Sequence, residues 1–181
     1  MSFGQIVSTA LAAVLLFWAI GAHNRLIALR NAIGAAWVQL DSLLKRRHAL
    51  IESLLVVLRR EIGESTHEFD AVLAASMQAA ACASAVRARP SAAPAVASLS
   101  MAEGVYGGAM ARLLGLLDAH ADIARRDGVA PLIGELVEIE TRLGFTRRAF
   151  NEAASAFNQA VRQFPTRLLS RLFGLRTAGR L

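Results

Sequence analysis

Between Asn24 and Leu58 the apolar positions form one stripe. Leu26, Leu29, Ile33, Trp37, Leu40, Leu44, Ile51, Leu54 and Leu58 recur in three- and four-residue steps, with one beat skipped. That spacing predicts a long amphipathic helix. The skipped beat falls at Arg47 and His48, inside the cluster Lys45-Arg46-Arg47-His48. Upstream the pattern changes in kind. Phe3 to Ala22 carries no charged side chain, and the first charge on any side chain is Arg25. These twenty residues are long enough to cross a hydrocarbon core of ~30 Å at ~1.5 Å per residue. Trp18 stands near the end, where an interfacial aromatic belongs.

A retained membrane anchor is therefore expected over residues 1–24. The alternatives are a cleaved signal peptide and a buried core helix. Ala19-Ile20-Gly21 has the small residues of a cleavage site, but no basic stretch precedes the apolar run. Arg25, Arg30 and Lys45 to Arg47 all follow the span, which predicts an outside N-terminus and a cytoplasmic domain.

Further along, the first helix is expected to reach about Ile62. Ser65-Thr66-His67-Glu68 has the spacing of a capping box and opens a second, Ala-rich helix to about Val86. His67, Glu68 and Asp70 could also be taken for metal ligands, but no ligand group of matching spacing lies nearby. Arg89 to Pro94 is a loop by its two prolines. Ser100 and Glu103 repeat the capping-box spacing, so a third helix is expected to start there, weakened early by Gly104, Gly107 and Gly108. A turn at Asp127 to Pro131 leads to a fourth helix, about Pro131 to Gln163. Its near-heptad stripe is Leu132, Leu136, Ile139, Leu143, Thr146, Phe150, Ala153, Phe157, Ala160 and Phe164. Phe164-Pro165 ends it, and a basic amphipathic segment, Arg167 to Arg176, follows.

Composition agrees with an all-α chain: 181 residues, 55% hydrophobic, with four prolines. The net charge of +6 at first suggests nucleic acid. Its distribution argues against that partner. Residues 1–152 hold 15 basic and 14 acidic side chains, while residues 153–181 hold five arginines and no acid. The excess is a tail rather than a basic face, and no aromatics interleave it in the manner of base-stacking platforms. Cys82 is the lone cysteine, which excludes a disulfide framework and a Cys-based metal site. There is no HExxH or GxSxG, and the histidines are scattered at 23, 48, 67 and 120.

The assembled motifs resemble those of the LemA family of membrane-anchored helical proteins. The likeness runs through Leu29-Arg30-Asn31, Ala36-Trp37, Leu40-Asp41, Leu44 to His48 and Leu50-Ile51. It resumes at Arg112-Leu113-Leu114, Glu135-Leu136 and Glu138 to Glu140. It ends with Arg147-Arg148, Phe150-Asn151-Glu152-Ala153, Phe157-Asn158 and Phe164-Pro165 through Leu172-Phe173-Gly174. Glu52 stands where the family usually has proline, Phe150 and Phe157 stand beside or in place of tyrosines, and His120-Ala121-Asp122 replaces a Tyr-Pro step. The resemblance implies an antiparallel up-and-down four-helix bundle behind one transmembrane helix, with the domain inside a bacterial cell. It implies no established activity. Some relatives take part in forming membrane compartments, and others associate with membrane proteases.

Three functional readings follow. The first is a non-enzymatic membrane scaffold or adaptor, in the inner membrane or one derived from it. Its partners would be the bilayer and other membrane proteins, a protease among them, or further copies of itself. It would hold no cofactor or metal. The second is a membrane-remodelling protein acting on anionic lipid through its basic tail, residues 165–181, with Arg167, Arg171, Phe173 and Arg176 as surface contacts. The third is an enzyme using Glu135, Glu138 and Glu140, although the Glu-x-x-His element of di-metal bundles is missing. The residues that would pack between helices are 25–164. Within them Arg47 interrupts an apolar stripe, and a buried guanidinium needs an anion. Antiparallel pairing puts it opposite residues 140–144, so Glu140, or Glu138 half a turn away, is the expected partner. The alternative is that Arg47 snorkels outward.

Overall fold

The structure is a computed structural model that describes residues 2–62, 67–163, 167, 174 and 176–181. Every regular element among them is helical: α1 (Phe3–Ile62), α2 (His67–Ala88), α3 (Ala93–Ala119), α4 (Ala121–Ala124) and α5 (Ala130–Arg162). Ser65, Thr66, Phe164, Pro165, Arg171 and Phe173 lie outside the described residues, as do the leucines of the tail's expected amphipathic face.

α1 is unbroken for 60 residues, ~90 Å. It passes straight through Glu52, the position where a proline would have removed a backbone donor. Its stripe faces the core from Leu26 onward. Ile33, Leu40, Ile51, Leu54 and Leu58 are each at most 1% exposed, and Trp37 meets Phe150 of α5 edge to face at 5.9 Å. Full burial of each such side chain stabilises the fold by roughly 1.5–3 kcal/mol. Residues 3–22 of the same helix touch no such core, and the most apolar stretch there has no buried residue.

The packing is bundle-like. α1 runs antiparallel to α5 along most of its core-facing length, α2 packs antiparallel against α3, and α1 meets α2 more sparsely. Alanines make the α2 contribution: Ala75, Ala79 and Ala83 are buried and let the neighbours close in. Among the described residues, α3 and α5 make no comparable backbone approach.

Three expectations need correction. The third helix begins at Ala93, with Pro94 in its first turn, rather than at Ser100. Proline lacks the N–H that the first turn leaves unpaired anyway, so it starts the helix instead of ending the loop. Ser100 and Glu103 are therefore interior positions and form no cap. The glycines at 104, 107 and 108 sit mid-helix on an exposed face. A short helix, α4, also intervenes before α5, with His120 at the junction donating from Nδ1 to the Leu116 oxygen at 2.9 Å.

Residues 176–181, at and beyond the end of the expected amphipathic segment, form no regular element and lie against the helices. The Ala178 N–H donates to Asn158 Oδ1 at 2.7 Å, and Asn158 Nδ2 returns a bond to the Ala178 oxygen at 2.9 Å. Asn151 does the same for Leu181, at 2.8 and 2.6 Å. Ala178 is buried, and Gly179 presses so closely on α3 that an added Cβ would stand 2.7 Å from Val96 Cβ.

Candidate functional site: a buried charge seam and the cleft beside it

The Lys45 to His48 block turns its four side chains to four different places. Lys45 stays exposed and pairs with Asp41 one turn back at 2.9 Å. Arg46 reaches across to Glu135 of α5 at 2.6 Å, on the surface. Arg47 points inward and is 3% exposed. His48 holds Ser76 of α2, Nδ1 to Oγ 2.7 Å, and its Nε2 lies 3.7 Å from Glu52.

Around Arg47 the helices supply a closed set of charges. Glu103 of α3 accepts from both terminal nitrogens, at 2.5 and 2.9 Å, a bidentate arrangement. Glu140 of α5 stands further off, 3.4 Å from Nη1. Arg147 of α5 donates to Glu103 at 3.1 Å. The guanidinium also lies over the Tyr106 ring, 4.0 Å from its centroid, in cation–π contact. Burial by itself would lower the Arg47 pKa, but the Glu103 hydrogen bonds and charge outweigh it and raise it further. Burial raises the Tyr106 phenol well above its ordinary value; the Arg47 charge opposes this, while Glu140 and Glu103 add to it. Both groups therefore keep their protons throughout the physiological range.

Glu103 is thus the main anion of the seam, and sequence reasoning had assigned it to a helix cap. Glu138 does not join the seam. It is exposed and pairs within α5 with Arg142 at 2.6 Å. The three glutamates considered for catalysis are separated, with Glu135 on Arg46, Glu138 on Arg142 and Glu140 on Arg47. Asp70, once a metal candidate with His67 and Glu68, pairs with Arg59 at 3.0 Å.

Beside the seam, α1 and α2 leave a cleft of about 230 Å³. Its floor is Ala79, Ala80, Ala83 and Leu44, and its polar wall is Asp41, Lys45, His48, Ser76 and Arg87. Asp41 accepts a bidentate pair from Arg87, at 2.7 and 3.0 Å, besides its contact with Lys45. Burial alone would raise the Asp41 carboxyl, but the hydrogen bonds from Arg87 and Lys45 outweigh it and hold it below the usual carboxylate value. The wall is therefore an ion-paired network joining α1 to α2, with one carboxylate held between two cations, as the seam ties α1 to α3 and α5.

At the opposite level of the bundle, toward the start of α1's stripe, Arg30, Arg89 and Arg176 line one depression of about 410 Å³ with Phe157. Arg176 is exposed there, and Arg167 is exposed and helical, its N–H donating to the Gln163 oxygen at 2.8 Å. Arg171 and Phe173 are not among the described residues. Neither Arg30 nor Arg89 had been grouped with the tail, because only the fold brings residues 30, 89 and 176 together.

The family model of the LemA family matches residues 36–180. The chain belongs to the LemA family. Its matched region contains the whole charge seam, both asparagines and all of the docked end except Leu181. Among curated proteins it is similar to magnetosome proteins MamQ 1 and MamQ 2 of Paramagnetospirillum magneticum, each 30% identical over 77 residues, which is 42% of this chain and 28% of the relative. MamQ of Magnetospirillum gryphiswaldense is 27% identical over 75 residues, 41% of this chain and 28% of the relative. The chain thus matches little more than a quarter of these relatives' length.

Proposed function

We propose that this LemA-family protein is a single-pass, membrane-anchored scaffold whose up-and-down four-helix bundle is carried rigidly on its own transmembrane segment. One observation carries the reading: α1 is continuous from Phe3 to Ile62, and its exposed apolar beginning passes without a break into the helix that organises the core. No flexible linker separates anchor from bundle, so the bundle stands at a fixed attitude to the bilayer. The positive residues after the span favour an outside N-terminus and a cytoplasmic bundle. The likeness to magnetosome proteins supports a bacterial membrane setting.

A non-catalytic role fits the chemistry of the polar groups. Each glutamate of α5's first half faces an arginine, and the acidic groups of the cleft and seam are likewise paired. Such pairing fixes helix register and ties the carboxylates of the seam and the cleft to cations. The partners would be other membrane proteins or further copies of the chain. A reporter fused after Leu181 tests the topology: a fluorescent fusion should be bright and a periplasm-dependent phosphatase fusion inactive, and the reverse pattern overturns the orientation.

The grouping of Arg30, Arg89 and Arg176 favours a second role, contact with anionic headgroups. Arg30 lies eight residues beyond Ala22, ~12 Å along the helix, within reach of the surface potential of an anionic leaflet. Arginine-to-glutamine replacement at all three positions should weaken salt-sensitive binding to anionic liposomes without loss of helicity. Equal binding by the triple variant would remove this role.

A further inference from the structure

We propose that the depression where Arg30, Arg89 and Arg176 meet is a built site for a single phosphomonoester group, and that docking of the chain end assembles it. The inference rests on the headgroup reading of the same depression and narrows it, from attraction by charge to recognition of one group at fixed geometry.

Three separate elements supply the three guanidiniums. Arg30 comes from α1, Arg89 from the turn between α2 and α3, and Arg176 from the chain after α5. Among the described residues, none of the three has an ion-pair partner, and no aspartate or glutamate lines the depression. Elsewhere arginines are paired: Arg46, Arg47, Arg87 and Arg142 each meet a carboxylate. Three unpaired guanidiniums around one hollow repel one another, so an anion is the missing member. The donors set its shape. Each guanidinium presents a planar fork of N–H groups that takes oxygens in pairs. A carboxylate has two oxygens in one plane, which one or two forks satisfy. Three forks from three elements suit a tetrahedral group with three free oxygens, which a phosphomonoester has and a phosphodiester lacks. The Ser91 and Thr177 residues, each with a hydroxyl, line the same space, whose volume of about 410 Å³ lies in the range of small-ligand sites.

The Arg176 wall is held there by contacts that carry no charge. Asn158 grips Ala178 at both its N–H and its oxygen, at 2.7 and 2.9 Å, so Arg176 stands two residues from a fixed point. Gly179 packs against the start of α3, where an added Cβ would stand 2.9 Å from the backbone of Ala93, itself a lining residue. On the other side Gly174 lines the depression with a left-handed backbone, φ 62°, which glycine adopts without strain. The docked end therefore has a use: it fixes a third guanidinium opposite the other two. A lipid headgroup and free phosphate share the chemistry that would fill the site.

The full-length chain in zwitterionic micelles separates a site from a charged surface. Short-chain phosphatidic acid, a monoester, and short-chain phosphatidylglycerol, a diester, are titrated in at equal micelle surface charge, and inorganic phosphate is titrated alone. Nitrogen-15 NMR follows the Nε–H groups of the three arginines. Their shifts should saturate together at one phosphatidic acid per chain, at about a tenfold lower lipid fraction than with phosphatidylglycerol, the value of one charge-assisted hydrogen bond. Asn158→Ala and Arg89→Lys each keep every charge and should abolish that preference with helicity unchanged. Arg89 is exposed in a turn, so Arg89→Lys serves if Asn158→Ala does not fold. Saturation by inorganic phosphate with no response to either lipid supports the phosphate site and overturns the lipid as its source. Equal response to both lipids, or a preference that survives Arg89→Lys, overturns the site while leaving attraction by charge intact. No shift with any of the three overturns both.

Discussion

Residues 3–22 and residues 26–58 lie on one uninterrupted helix and are both rich in leucine and valine, yet they differ in what covers them. In the second stretch the apolar residues form a stripe, and Leu54 is 1% exposed against α1's neighbours. In the first they occur all round the helix, and Leu15, Leu16 and Phe17 are more than half exposed. A one-sided stripe identifies a helix that other helices cover on one face; a helix apolar on every side is one that protein or lipid surrounds. Hydrophobicity alone does not separate the two halves, whereas its angular distribution does. The charges follow the same division. The first half has none, and the second holds a buried arginine only because three other helical side chains surround it.

The sharpest contrast comes from truncating a leucine in each half. Leu54→Ala should cost about 3–4 kcal/mol of bundle stability, since the cavity lies in a packed core. Leu15→Ala should change it by less than about 0.5 kcal/mol. Denaturant unfolding in detergent, followed by circular dichroism, reads both. Equal effects would mean that residues 3–22 are part of the folded core.

Arg47→Met probes the charge that only the second half tolerates. A loss of about 3 kcal/mol is expected, because Glu103 would remain buried with Arg147 as its remaining cation. Replacing Glu103 by methionine at the same time should recover most of it. If Arg47→Met alone leaves the melting temperature unchanged or raises it, the seam does not hold the helices together.

Asp41→Asn should have a smaller effect, about 1 kcal/mol at neutral pH, because Arg87 and Lys45 are partly exposed. It carries a definite pH dependence. The folded carboxyl is held below its usual value of about 3.9, so the unfolded chain binds more protons in that range. The stabilisation is therefore complete above about pH 5 and lost as pH falls through the lowered folded value. Melts from about pH 3 to 7 should show wild type and variant converging at the acid end. Glu138→Gln, on an exposed pair within one helix, should stay within about 0.5 kcal/mol at any pH tested.

Much of this division was legible in the sequence. Periodicity located the stripe of α1 and that of α5, and antiparallel register put residue 47 level with residue 140. Glu103 was not legible, because Ser-x-x-Glu is also the spacing of a helix cap. A signal was available: Val96, Leu99, Ala102, Tyr106, Ala109 and Leu113 continue one apolar stripe back past Ser100, so the helix had to begin earlier. The docked end was hidden for a different reason. It is held through backbone atoms, which carry no sequence signature, and its arginines suggested a surface role. Its traces were the Asn151 and Asn158 pair seven apart and Gly179, two residues before Leu181. The meeting of Arg30, Arg89 and Arg176 required the fold, since no local pattern connects them.

The proposed continuity of a membrane anchor with the bundle in α1 can be measured directly by single spin labels at each position from 3 to 62, in a Cys82→Ser background, with the protein in bilayers. Accessibility to oxygen, which partitions into lipid, is compared with accessibility to a water-soluble nickel reagent. High oxygen and low nickel access is expected at every position from 3 to 22, giving way beyond Leu26 to a 3.6-residue oscillation between buried and water-exposed sites. Oscillating nickel access already within residues 3–22, or a mobile break in the labels between the two stretches, would contradict a rigid helix that begins in the membrane and ends in the bundle.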